Sequence, residues 1–83
     1  MSQERDNKYL AYLQREIDFA KQQFTEGEER SRQMRKELQQ QTSVYAAERI
    51  IKEIEMVERD SHGINNYLAA LVAARDAFLN AAE

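Results

Sequence analysis

Cysteine and proline are both missing from the 83 residues of this chain, and glycine occurs only at Gly27 and Gly63. Without cysteine there is neither a disulfide staple nor a thiolate metal site. Without proline nothing forces a kink into a helix or removes a backbone donor from it. Long apolar runs are missing too: none approaches the roughly 18 residues that a membrane span requires. The first residues, Met1 to Asp6, are polar, so no secretory signal is expected. A cytoplasmic protein with no membrane partner is the expectation.

What remains is 33% charged and rich in Ala, Glu, Gln, Leu and Arg, the bias of long helices. The net charge of −3 is uneven. Residues 1–41 hold eight Lys or Arg against eight Asp or Glu, and residues 42–83 hold four against seven. Neither half is an electrostatic sink for phosphate. A chain this short buries a modest core, and small scaffolds often gain stability by oligomerising.

The apolar spacing is that of two helices. Leu10, Leu13, Ile17, Ala20 and Phe24 step by three and four. The same phase passes Gly27 and Ser31 and meets Met34 and Leu38. A second stripe runs through Ala47, Ile50, Ile54, Val57, Ser61, Ile64, Leu68, Leu71, Arg75, Phe78 and Ala82. At ~100° per residue the two stripes lie on opposite sides of any continuous helix. A turn near 40–44, with Thr42 or Ser43 capping the second helix, removes the conflict. Folding there places Leu13 by Leu71, Ile17 by Leu68, Ala20 by Ile64, Phe24 by Ser61, Gly27 by Val57 and Ser31 by Ile54. Large side chains then face small ones along the middle, as interdigitated packing prefers.

The expected fold is a single all-α domain over 1–83, an antiparallel two-helix hairpin with helices over about 4–40 and 44–82. Dimerisation would make it a four-helix bundle. The alternative is a three-helix arrangement, with the second helix interrupted at 61–65 where Asp60-Ser61-His62-Gly63 reads as a helix end. Arg75 falls on the stripe, where its guanidinium is expected to snorkel outward or reach Asp6.

Apolar residues are left over once each helix has spent one stripe. Tyr9, Tyr12 and Phe19 lie off the first. Val44, Ile51, Val72 and Leu79 flank the second on one side, and Tyr67, Ala74 and Ala81 on the other. A helix apolar on most of its circumference is buried on more than one side. The surplus implies another protein or a second copy of the chain as partner, with Tyr9, Tyr12, Phe19, Tyr67, Val72, Phe78 and Leu79 as the binding residues.

Chemistry-bearing patterns are sparse. Glu55, Glu58 and His62 share a helix face, but Arg59 stands three residues before the histidine, where a bundle metal motif requires glutamate. No nucleophile–base arrangement and no phosphate-cradling loop is present. No catalytic residue, metal, cofactor or small-molecule substrate is therefore expected. Arg30, Arg32, Arg35 and Lys36 form one basic cluster, the basis of an alternative reading as a dimeric RNA-binding hairpin. Glu26, Glu28, Glu29 and Glu37 neutralise it and no aromatic interleaves it. The leading expectation is a non-enzymatic interaction module, an inhibitor, adaptor or co-chaperone that occludes or bridges a partner. A self-assembling structural subunit is the third reading.

Overall fold

The computed structural model describes residues 3–82. It contains two helices, α1 (Gln3–Gln40) and α2 (Val44–Ala82), and no strand among the described residues. They pack against each other along their length in a rod of 63 × 14 × 14 Å. That matches the ~57 Å expected for 38 helical residues.

The turn occupies residues 41–43. The Gln41 N–H donates to the Leu38 carbonyl at 3.2 Å, a tightened last turn that satisfies one of the free carbonyls of α1. Ser43 caps α2. Its Oγ accepts from the Ala46 N–H at 3.4 Å, and its carbonyl accepts from the Ala47 N–H at 3.0 Å. No described residue has a positive φ. The reversal thus needs no left-handed position, which is why Gln-Thr-Ser can make it without glycine.

Each stripe faces the other. From Leu10 to Leu38 and from Ala47 to Phe78, every stripe position is buried or half-buried; the side chain of Ala82 lies outside the described residues. Leu13, Ile17, Ala20 and Leu71 form the tightest cluster, with Ile64, Leu68, Val72 and Ala74 packed against it. This half of the rod, away from the turn, is the main core. Nearer the turn, Met34 and Ile54 are buried. Between these regions the seam narrows to Gly27, Ser31 and Ser61. A Cβ on Gly27 would press into Ser61 Oγ, so the seam is filled at this level by small side chains alone.

The three-helix alternative is corrected. α2 continues as helix through 61–65 with no third helix. Its Ile64 and Leu68 are half-buried against the core, and that packing outweighs the local helix-end signal. At Arg75 the acceptors are Gln14 Oε1 across the seam and Asp76 Oδ1 beside it, each at 3.4 Å. The Arg75 side chain is 30% exposed, so its guanidinium reaches the rim of the seam, as snorkelling requires, and meets these acceptors there.

The two glycines differ in surroundings, and their alanine variants should differ in stability. Nothing lies within 4 Å of a Cβ placed on Gly63. Gly63→Ala should stabilise by about 1 kcal/mol, raising Tm by roughly 4–8 °C in a domain this size. Gly27→Ala should show no such gain in the native background, and should recover it when Ser61→Ala removes the obstructing hydroxyl. Equal gains at both glycines in thermal melts would show that the close approach at Gly27 is not real.

Candidate interaction surface

Helical spacing and the contacts between α1 and α2 sort the remaining side chains onto two edges of the seam. One edge carries Arg35 and Glu58. Their ion pair joins the helices, and Ser31 Oγ donates to the same carboxylate oxygen at 3.1 Å. These bonds, Arg35 first and Ser31 second, hold the Glu58 carboxyl below its ordinary value of 4.5. Val72 and Leu79 lie on this edge as well, two and three heptads beyond Glu58 along α2. Val72 is half-buried against the core and Leu79 is exposed.

The opposite edge is the one on which apolar groups accumulate. Tyr9, Tyr12 and Phe19 of α1 are exposed here, Phe19 by 57%. Tyr67 of α2 is 49% exposed on the same edge, with Glu16 and Tyr12 near enough to influence its phenol. Partial desolvation first, then those two neighbours, push that phenol above its ordinary value of 10.0. Tyr9 meets half-buried Phe78 edge to face, ring centres 5.1 Å apart.

Of the seven side chains expected to bind a partner, the structure brings Tyr9, Tyr12, Phe19 and Tyr67 onto one edge, with Phe78 behind Tyr9. Val72 and Leu79 belong to the other. The flat part of the tyrosine edge joins Ala74 and Ala81, already expected to flank the second stripe with Tyr67, to Ala70 and Ala77, which the sequence expectation passed over. Continuing Tyr67 by alternate steps of four and three gives Gly63, Tyr67, Ala70, Ala74, Ala77 and Ala81. Apart from half-buried Ala74, all of these are exposed. Tyr9, Tyr12, Glu16 and Phe19 follow the same spacing on α1. Each helix therefore carries a second stripe, both lie on one edge, and Glu16 is the charge within them. Val44, Tyr45, Ile51 and Met56 are also exposed, toward the turn end.

The basic cluster is not brought onto one face. Arg30 lines a shallow groove beside Gly27 on the tyrosine edge. Arg32 and Arg35 line a groove on the other, and Arg35 is engaged by Glu58. Glu55 and His62 are exposed while Glu58 turns toward α1. Among the described residues no group of three or more His, Asp or Glu is placed to hold a metal ion, and no helix is long and apolar enough to cross a membrane. No protein-family model, no curated protein and no solved structure matches the chain.

The Arg35–Glu58 bond ties acid sensitivity to the hairpin. A carboxyl whose folded pKa is depressed stabilises the fold above its ordinary pKa and loses that contribution as pH falls through the folded one. In a carbon-13 titration Glu58 should have a midpoint below 4.5. Arg35→Ala should move it upward, and a Glu58 midpoint insensitive to that change would break the link.

Proposed function

We propose that the chain is a protein-interaction module that works without catalysis. Its hairpins associate through the tyrosine and alanine stripes into a four-helix bundle, and the assembled rod masks or bridges a partner protein. The second stripe on each helix, both on the same edge, carries this reading. A two-helix hairpin can bury one stripe per helix and no more. Apolar residues at helical spacing on an open face mark a surface made for another helix.

Exposed Tyr9, Tyr12, Phe19 and Tyr67 on one edge leave that apolar surface open on the single hairpin. Occlusion would then act through packing: apolar helix surface laid over a functional or aggregation-prone helix of the partner. The division of the basic cluster between two edges favours this reading over nucleic-acid binding.

Sedimentation equilibrium should give a dimer at micromolar concentrations, with no growth beyond it. Tyr12→Ser combined with Phe19→Ser should weaken association at least tenfold, as loss of central aromatic anchors does. Circular dichroism should stay helical, because neither residue lies in the seam. Glu16→Leu removes the charge from the face and should tighten the dimer by roughly tenfold, in line with the 1–3 kcal/mol for burying an imperfectly paired polar group. A monomer throughout this range, with Glu16→Leu also monomeric, would overturn the association; open-ended growth would favour a structural subunit. Proteins captured from lysate by the native chain but lost with Tyr9, Tyr12 and Phe19 all changed to Ser would be candidates for the partner.

A further inference from the structure

Resting on the association proposed above, we infer that the surface covering the tyrosine edge is a second copy of this chain, docked with both turns at the same end of the bundle. The shape of the edge points to a second copy. A rod of 63 × 14 × 14 Å exposes 6660 Å², surface enough for the roughly 800 Å² per partner that a standard interface covers. The edge is also self-complementary. Its α1 half is bulky, with Tyr9, Tyr12 and Phe19; its α2 half is nearly flat, with Ala70, Ala74, Ala77 and Ala81.

The direction follows from that division. Two hairpins can be laid face to face about a two-fold axis in two ways. An axis parallel to the helices keeps both turns at one end and lays α1 of each chain over α2 of the other. An axis across the helices sends the turns to opposite ends and stacks α1 on α1 and α2 on α2. The second way sets tyrosine on tyrosine and alanine on alanine, which calls for two unequal helix spacings in one interface. The first sets each aromatic row against an alanine row, so one spacing serves both halves.

The level of the residues agrees. The turn places Tyr12 opposite position 72 or 73 of its own α2, and an axis along the rod preserves that level in the partner. The aromatic rings of Tyr9 and Tyr12 thus meet the partner's Ala70, Ala74 and Ala77, and Phe19 meets the region of Gly63 and Tyr67. Glu16, between Tyr12 and Phe19, is then the one charge of the two stripes that the interface encloses.

The absence of native cysteine makes the direction directly measurable. A single spin label on Thr42→Cys, in the exposed turn, gives one pair of labels per dimer. With turns together, pulsed dipolar spectroscopy should return a distance within about 30 Å, one helix spacing plus the label arms. Turns at opposite ends would put the labels about a rod length apart, and the rod is 63 Å long; a distance of that order overturns the orientation and leaves the dimer standing. A sample that sedimentation shows to be monomeric, and that gives no dipolar signal, overturns both. A labelled Tyr12→Ser, Phe19→Ser variant should lose the short distance while remaining helical, and a short distance surviving there would place the contact elsewhere and overturn this interface.

Discussion

The meeting of two three-and-four stripes along a single seam is the constraint on which the rest of this molecule depends. A hairpin has no third element to close over its core, so the stripes must be in register from the turn outward. The turn at 41–43 fixes that register for every residue beyond it. Once Ser43 caps α2, Leu13 and Ile17 arrive beside Leu68 and Leu71, and burial at that end follows from the position of three polar residues roughly 40 Å away.

The middle of the seam has a different character. Gly27, Ser31 and Ser61 fill it, with no room for a Cβ at Gly27, but contribute little apolar area. The bonds from Arg35 and Ser31 to Glu58 cross the seam at this level. Arg35 and Glu58 are well exposed, so the ion pair is a weak source of stability, and its geometric effect matters more. It links the helices beside the small residues of the seam, between the Leu13–Ile17–Leu71 core and the turn. The rod therefore has one apolar end, a polar waist and a turn.

Much of this was legible because helical periodicity is a one-dimensional signal. The phase conflict between Leu38 and Ala47 requires a reversal between them, and the same phases identify the seam residues one by one. Two kinds of information were not contained in that signal. One is the edge on which a flanking residue falls, since that depends on how the second helix is rotated against the first. Val72 and Leu79 are as apolar as Tyr67, yet they lie across the seam from it. Ala70 and Ala77 were missed for a related reason: heptad multiples of Tyr67 reach Ala74 and Ala81 but skip the intervening steps that make the surface continuous. The other is competition between local and tertiary preference. Asp60-Ser61-His62-Gly63 has the composition of a helix end, and only the burial of Ile64 and Leu68 keeps α2 helical through it.

The uneven distribution of apolar surface also bears on what the opposite end of the rod could do. Val44 and Tyr45 are 77% and 74% exposed beside the turn, at positions no stripe requires to be apolar. On one hairpin they form a small patch, of the size that soluble proteins tolerate. Val44 lies two heptads before Glu58, on the edge that carries Leu79, and Tyr45 stands one position further round, so neither belongs to the tyrosine edge. If both turns lie at one end of a dimer, the two patches therefore stand on opposite outer faces of its tip, roughly 40 Å along the rod from the aromatic residues. A partner long enough to reach both would be held by two chains at once, so its affinity would depend on the association of the hairpins. Bridging by such a rod would thus be coupled to its own assembly, and a variant that keeps the hairpin but loses the tyrosine edge would offer that partner one patch.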